Sequence, residues 1–297
     1  MIGIAIINYK TYKKTIQCID SIRKNLTLPY KIYLLDNDSQ NESVPIFQNV
    51  YSLASDIELI ISRTNEGYAR GNNICIKKMI EDGCEYGIIS NNDILCDKNT
   101  IEILINDLTQ DSNLLLVGPK IYSPKGEFQC SAKRENIDNY KYLFNSLYIS
   151  FLWNKNKNES AYWKDVDKFT FAKWISGAFF AFSLENMKKI NFFDSHTFLF
   201  YEEAILSKKA DKCHFKVGYD PQSHVIHDHA YSSGGGLNII TKIAADQSER
   251  YFFEKYTSVS KYYIFLLKLF RNLEIIYSYG KRKRFEDISL YFKSINE

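Results

Sequence analysis

Short apolar runs alternate with helical patterns through the first third of the chain, and this alternation constrains the fold more than any other feature. Four runs are each long enough for one buried strand, at residues 3–7, 32–35, 57–61 and 86–90. Segments with apolar residues at helical spacing separate them, and one of these is expected at 44–53. Strands that alternate with helices favour a largely parallel, doubly wound sheet.

Polar residues stand where each of these strands ends, at Asn8, Asp36, Asn65 and Asp93. The carboxyl ends of parallel strands share one edge of a sheet, and ligands bind outside that edge. We therefore expect these four side chains to lie near one another. Taken alone, the Asn-Asn-Asp segment at 91–93 indicates a turn slightly more than a ligand site, because Asn and Asp also favour turns and helix caps.

Composition and charge set broad limits on the protein's class. The 297 residues suffice for one large or two small domains, and a net charge of +3 is too small to favour nucleic acid as a partner. The six cysteines form no CxxC pair, which predicts reduced, mostly buried thiols in a cytosolic protein. Met1 leads directly into a strand-like run, so no signal peptide is expected, and no segment reaches the ~18 consecutive apolar residues of a spanning helix.

The second half of the chain is less regular. A helix is expected at about 100–108 and a fifth strand at 114–117, after which Pro119 interrupts the alternation. Residues 136–165 are interpreted as a mobile, partly helical insert, and 232–236 as a flexible segment. The remaining predicted elements are strands within 169–183, a helix from Glu202 to about 212, short strands at 215–219 and 225–226, and helices to the end.

The acidic pair Glu202-Glu203 opens its predicted helix after an aromatic run. Acidic residues in a first turn favour the helix dipole, and that structural explanation accounts for most such pairs. A carboxylate beside a pocket can also act as a general base, and neighbouring acids raise each other's pKa. His227 ends a strand-like run close to two further histidines, His224 and His229. Imidazole together with a carboxylate suits Mn²⁺ or a similar cation, but the alternation of a strand places only one or two of the three on the same face.

A glycine-containing loop at 67–73 precedes the third predicted helix. Arg70 and the backbone amides at the helix start could bind a diphosphate. The loop is neither GxGxxG nor a P-loop, so an ordinary glycine-rich turn is the alternative. The chain contains no Gly-x-Ser-x-Gly motif.

Seven segments, in order, resemble glycosyltransferases of the GT-A fold, in particular the inverting family-2 type and rhamnosyltransferase-like enzymes of bacterial surface polysaccharide synthesis. The segments are residues 6–9, 35–39, 65–73, 91–93, 174–178, 193–203 and 221–227. The resemblance covers roughly residues 2–235. It implies a GT-A (Rossmann-like) fold, with a mixed, mainly parallel central sheet flanked by helices and followed by a helical C-terminal extension.

The same resemblance implies a role for each matching residue. Glu203, with Glu202, would be catalytic, with Glu203 as the general base. Asp93 and His227 would bind Mg²⁺ or Mn²⁺ on the diphosphate of a UDP- or dTDP-sugar. The nucleotide-sugar would be held by Asn8, Asp36, Asn65, Gly67, Arg70, Asn72, Asn91, Asn92, Trp174 and Gly177. The chain departs from the family pattern in having Glu rather than Asp as the base, and Lys208-Lys209 where an arginine is usual.

Two other classes of function stay open from the sequence. One is a nucleotidyltransferase, although the glycine-rich activation loop usual in that class is absent at 8–14. The other is a sugar-nucleotide-binding protein without catalytic activity. For organisation, we expect a nucleotide-sugar-binding half at 1–120, an acceptor and catalytic half at 121–236, and a helical extension at 237–297.

The helical extension combines an apolar stretch at 262–270 with a basic cluster at 281–284. This combination predicts either contact with an anionic inner leaflet, where the acceptor would be a glycan or a lipid-linked glycan, or packing on the catalytic core or a second subunit in a homodimer. The expected location is cytoplasmic, either free or peripheral at the plasma membrane.

Overall fold

The computed structural model describes residues 1–129, 131–133, 166–228 and 238–296. Cys130, His229, the predicted insert at 136–165 and the predicted flexible segment at 232–236 lie outside these residues. The part of the chain that is described forms a mixed α/β fold of the GT-A type, as the sequence predicts.

A mixed sheet forms the centre of the molecule. Its first four strands, all parallel, are those predicted from the apolar runs. The described strands are β1 (Ile2–Asn8), β2 (Tyr30–Asp36), β3 (Ile57–Ile61), β4 (Tyr86–Asn91), β5 (Ile94–Cys96), β6 (Leu114–Tyr122), β7 (Phe128–Gln129), β8 (Ala132–Lys133), β9 (Thr170–Ala172), β10 (Trp174–Ile175), β11 (Phe179–Ser183) and β12 (Lys216–His227). The central sheet is built in the order β3-β2-β1-β4-β11-β6-β12-β5, with β7 paired to β6 and β9 to β12, and β8 and β10 form a separate two-stranded sheet.

Helices cover both faces of the sheet. The described helices are α1 (Tyr12–Asn25), α2 (Ser43–Val50), α3 (Gly67–Glu81), α4 (Thr100–Gln110), α5 (Leu184–Lys189), α6 (Glu202–Lys212), α7 (Ile239–Tyr256), α8 (Lys261–Gly280) and α9 (Phe285–Asn296). Apolar side chains of α1, α2 and α4 pack in the core on one face, and those of α3, α5 and α6 pack on the other. Gly83, at the predicted cap of α3, has the left-handed φ of +71° that favours glycine after a helix.

Three local predictions were wrong. The two short strands predicted at 215–219 and 225–226 are parts of the single strand β12, which begins at Lys216 and whose pairing with β6 shifts in register between Asp220 and His224. Pro119 lies within β6 and does not end it, because β6 continues to Tyr122. Helix α2 ends at Val50, three residues earlier than expected.

The C-terminal helices share a core with helix α6. Phe252 and Phe253 of α7 and Tyr263 of α8 pack with Ala204 and Ile205 of α6. A second cluster joins α7, α8 and α9 to one another. The helical extension is therefore packed directly on the segment that carries the acidic pair.

Candidate active site

Asn8 and Asp36 lie side by side at the carboxyl edge of the sheet, as predicted. They are register partners in β1 and β2, and the Asn8 amide Nδ2 donates to Asp36 Oδ2 at 2.7 Å. The Ser39 hydroxyl donates to the same oxygen at 2.7 Å, and the Ser39 backbone N–H donates to Asp36 Oδ1 at 3.1 Å. Asp36 is only 2% exposed. Through these bonds Asp36 and Ser39 together fix the shape of this corner. Sequence reasoning did not propose Ser39 as a site residue.

Asn65 and Gly67 shape the loop that enters α3. Asn65 Oδ1 accepts from the Gly67 N–H and from Asn37 Nδ2, both at 3.0 Å. Gly67 has φ of +70°, and a Cβ there would lie 2.3 Å from the carbonyl oxygen of Phe198. Only glycine fits, because the backbone is left-handed and the 198 carbonyl leaves no room for a side chain. The loop is thus held directly against the second half of the fold.

Arg70 and Asn72 contact protein groups. Arg70 Nε donates to the Ser195 carbonyl at 2.9 Å, and Asn72 Nδ2 donates to the Tyr68 carbonyl within the same helix at 3.0 Å. Asn72 is buried, and Arg70 links α3 to the segment that precedes the acidic pair. Diphosphate binding by Arg70 stays a prediction.

Asn91 and Asn92 take different positions after β4. The Asn91 N–H donates to the Ala178 carbonyl at 2.8 Å, which joins β4 to the turn before β11. Asn92 Nδ2 donates to the hydroxyls of Thr11, at 2.7 Å, and Thr15, at 2.9 Å. Asn92 is thereby fixed to the start of α1.

Asp93 and His227 meet although 133 residues separate them in sequence. The short strand β5 begins at Ile94, which pairs with His227 of β12 in antiparallel register. This pairing places His227 Nε2 3.3 Å from Asp93 Oδ1, with both side chains buried. The predicted metal-binding pair is thus brought together by a strand that the sequence did not reveal.

Gln129 fixes the orientation of the His227 ring. Its side-chain Oε1 lies 3.1 Å from His227 Nδ1, and its Nε2 donates to the His227 carbonyl at 3.0 Å. An amide oxygen only accepts, so Nδ1 carries the proton and, in the neutral ring, Nε2 presents its lone pair toward Asp93. One imidazole nitrogen and one carboxylate oxygen at this spacing suit Mg²⁺ or Mn²⁺. Among the described residues no group of three or more His, Cys, Asp or Glu side chains is arranged to hold a metal, so this pair would supply two ligands.

Two further charged residues, Lys14 and Asp228, lie next to the Asp93–His227 pair. Lys14 of α1 forms a 2.5 Å ion pair with Asp228, whose N–H donates to the Asp93 carbonyl at 3.1 Å. His224 points elsewhere, since its Nε2 lies 2.9 Å from Asp97 Oδ2 near the surface. Of the described histidines near the end of β12, His227 is therefore the one directed at Asp93.

The acidic pair begins α6, immediately after Tyr201 with its left-handed φ of +67°. Glu203 Oε1 accepts from the Gly177 N–H at 2.9 Å. Glu202 is almost wholly buried, and burial, followed by the charge of Glu203, raises its pKa to about 8. The two carboxyl groups thus have distinct environments.

Gly177 is bonded through both of its backbone groups. Its N–H donates to Glu203, and its carbonyl accepts from the Tyr68 hydroxyl at 2.6 Å. A Cβ at Gly177 would lie 2.2 Å from Glu203 Oε1. Trp174 lines a small, mainly apolar cavity that also contacts Glu203. The predicted residues Trp174 and Gly177 are therefore both neighbours of the acidic pair.

A family comparison decides the class of the protein. The model of the family described as "Glycosyl transferase family 2" matches residues 3–182, which is more than half of the chain. The chain belongs to glycosyltransferase family 2. In this family-2 glycosyltransferase the acidic pair and His227 lie beyond the matched residues. The fold nevertheless returns them to the edge of the sheet where β4 ends, because β12 pairs with β5 and Glu203 is bonded to Gly177.

Three solved structures are similar to this family-2 glycosyltransferase in fold. GalNAc-T7, crystallised with UDP, GalNAc and Mn²⁺, aligns at 16% identity and a TM-score of 0.61, over 92% of this chain and 54% of its own. The chain therefore spans about half the length of that protein. The mannosyltransferase PcManGT from Pyrobaculum calidifontis, in complex with GDP-Man and Mn²⁺, aligns at 12% identity and 0.58, over 99% and 74%. Residues 1–349 of S. aureus TarS align at 11% and 0.53, over 99% and 91%.

No curated protein sequence matches the chain at a significant level. At identities below 20% the structural neighbours establish the GT-A fold of this glycosyltransferase.

Helices α7 and α8 hold the segment that carries the acidic pair. The Tyr201 hydroxyl donates to Glu249 Oε1 at 3.1 Å, and Arg271 of α8 donates to both oxygens of that carboxylate, at 2.6 and 2.8 Å. The Ser248 hydroxyl donates to the Leu199 carbonyl at 2.9 Å. The C-terminal helices of this glycosyltransferase thus fix the backbone immediately before Glu202.

Proposed function

We propose that this family-2 glycosyltransferase transfers a sugar from a nucleoside diphosphate to an acceptor hydroxyl with inversion of configuration. The observation that carries the proposal is the arrangement of Glu203 on the Gly177 N–H, next to the turn at Ala178 that is bonded to the end of β4. The Asp93–His227 pair follows that same strand end. The Glu203 carboxylate and the Asp93–His227 pair thus lie at one edge of the sheet, and this arrangement supports the proposal.

Glu203 would act as the general base. It would take the proton of the acceptor hydroxyl, whose oxygen attacks the anomeric carbon while the bond from that carbon to the diphosphate breaks. The hydrogen bond from Gly177 holds one carboxylate oxygen in place. Burial, followed by the charge of Glu203, raises the pKa of Glu202 and favours its protonated form, so we assign the role of base to Glu203.

Asp93 and His227 would hold Mg²⁺ or Mn²⁺. A divalent cation bound there stabilises negative charge on a diphosphate leaving group. Gln129 orients His227 for this task, and the remaining ligands would come from the donor and from water.

The nucleotide-sugar would bind along the carboxyl ends of β1, β2 and β4. We assign the base and ribose to the corner formed by Asn8, Asp36 and Asn65, and the diphosphate to the side of Arg70. A UDP- or dTDP-sugar is our proposed donor, with hexosyl or rhamnosyl transfer. The related structures contain UDP in one case and GDP-Man in another, so the fold itself accommodates both pyrimidine and purine nucleotides.

The acceptor would be a glycan or a lipid-linked glycan in bacterial surface polysaccharide synthesis, and the enzyme would work in the cytoplasm at the inner face of the membrane. Residues 1–120 would bind the nucleotide-sugar, and 121–236 would supply the acceptor side and the base. Residues 237–297 would support that side.

A donor screen tests the proposal. Melting temperatures would be measured with UDP-, dTDP- and GDP-sugars in the presence and absence of Mn²⁺, followed by hydrolysis of each stabilising donor. We expect one nucleotide class to raise the melting temperature and Mn²⁺-dependent release of the nucleoside diphosphate. Stabilisation without any release, with or without simple sugar acceptors, would favour a sugar-nucleotide-binding protein. The anomeric configuration of the transferred sugar, read by NMR, decides between inversion and retention.

A further inference from the structure

The outer face of helix α8 is apolar. Five large side chains at spacings of three and four residues form one stripe along it, and each is at least 40% exposed. We call these residues the α8 stripe: Tyr262, Phe265, Leu269, Leu273 and Ile276. Such a contiguous apolar face on an outer helix marks a binding surface, because single exposed apolar residues need no explanation but a continuous row of them does.

The charged residues near the middle of α8 point the opposite way. Arg271 binds Glu249 of α7 at 2.6 Å and Glu274 at 2.8 Å, and Glu274 also lies 3.3 Å from Lys242. An ordinary surface helix buries its apolar residues and turns its charges to water. In α8 the central charged residues form ion pairs with α7, whereas large apolar side chains face outward. Simple exposure to water does not explain such an apolar outer face.

A basic cluster adjoins the stripe. Lys281, Arg282 and Lys283 follow α8 directly and are all exposed, and Phe285 beyond them is exposed as well. Arg284 is paired with Asp287. Three exposed cations beside an apolar stripe complement an anionic lipid surface, where the apolar side chains enter the headgroup region and the cations meet the phosphates.

The helix would lie on such a surface. No described helix is long and apolar enough to cross a membrane. The 20 residues of α8 extend for about 30 Å, so the stripe offers a long contact line parallel to the surface.

We propose that the α8 stripe and residues 281–283 dock this protein on an anionic bilayer surface. The proposal gives a specific surface to the membrane location suggested above, but it concerns binding and can be tested whether or not the chain transfers a sugar.

Vesicle co-sedimentation of the full chain tests it. We expect binding to vesicles of phosphatidylcholine with phosphatidylglycerol, much weaker binding to phosphatidylcholine alone, and loss of binding at high salt. The double variant Phe265→Gln and Leu273→Gln, and the triple variant Lys281→Gln, Arg282→Gln and Lys283→Gln, should each weaken binding at least about tenfold. Circular dichroism and melting temperature would verify that both variants fold.

Matched substitutions elsewhere provide the controls. Leu53→Gln removes an apolar side chain that is 97% exposed, and the triple change of Lys24, Lys77 and Lys188 to Gln removes three charges from other surfaces. Both controls should bind vesicles as the wild type does. Equal binding by all variants would overturn the proposal. A wild-type dimer that the Phe265/Leu273 change dissociates, without vesicle binding, would also overturn it and assign the stripe to a second copy.

Discussion

Replacement of Gly177 by alanine tests the contact between the Gly177 turn and the proposed base. The new Cβ would lie 2.2 Å from Glu203 Oε1 and 2.9 Å from its Cδ, so the carboxylate must retreat by about 1 Å to reach ordinary contact distance. Glu203 is a flexible side chain and Gly177 has no positive φ. We therefore expect the free energy of unfolding to change by no more than about 1 kcal/mol.

The expected cost appears in catalysis instead. Displacement of a reacting group by about 1 Å can reduce turnover about 100-fold, so Gly177→Ala should lower kcat by that order. The assay is steady-state transfer with the donor identified by the screen, together with the donor Kd from calorimetry. Both backbone groups of Gly177 are already bonded, to Glu203 and to Tyr68, so the donor Kd should change much less than kcat. A large rise in the donor Kd would instead support the predicted contact between Gly177 and the nucleotide-sugar.

Gly280→Ala serves as the control. A Cβ at Gly280 would meet nothing within 4 Å, and its φ is not positive. This variant should keep wild-type kcat. Near-normal turnover in Gly177→Ala would refute the reasoning, because it would mean that the position of Glu203 on the Gly177 N–H does not matter. Equal losses in both variants would attribute the effect to something other than that contact.

Three further changes test other parts of the site. Gln129→Leu frees the His227 ring and should raise the Mn²⁺ concentration needed for half-maximal activity about 10- to 100-fold, while Gln222→Leu should not change it. The raised pKa of Glu202 means that the folded protein retains a proton that the unfolded chain loses between its ordinary pKa near 4.5 and about 8. The free energy of unfolding should fall with rising pH in that window by up to about 1.4 kcal/mol per unit, and urea titrations of Glu202→Gln should show a smaller slope. Arg271→Ala leaves Glu249 without its bidentate partner, so both melting temperature and kcat should fall, whereas Arg250→Ala should change kcat little.

The sequence predicts one edge of the site well, and the reason is geometric. Asn8 and Asp36 each follow an apolar run, and strands of a parallel sheet end on the same side, so their contact follows from topology alone. Glu203 is predicted from the segment at 193–203, which follows these strands in the same order as in the family. The motif could not show that its carboxylate is bonded to Gly177.

Other parts of the site could not be read from the sequence. Strand β5 has three residues and no alternation, yet its pairing with β12 is what brings His227 to Asp93. Gln129 lies in a two-residue strand after a turn, with no pattern that points to a histidine 98 residues away. The bond from Arg271 to Glu249 likewise depends on how two helices pack, which local periodicity does not determine.

The most direct test of the central claim compares donor binding and sugar transfer in Glu203→Gln and the wild type. The glutamine side chain has nearly the same shape and can still accept the Gly177 N–H through its oxygen, but it cannot take a proton. If Glu203 is the general base, transfer should fall by a factor of about 10² to 10⁴ while the donor Kd stays within about threefold. Transfer at close to the wild-type rate would contradict the assignment of Glu203 and the mechanism built on it.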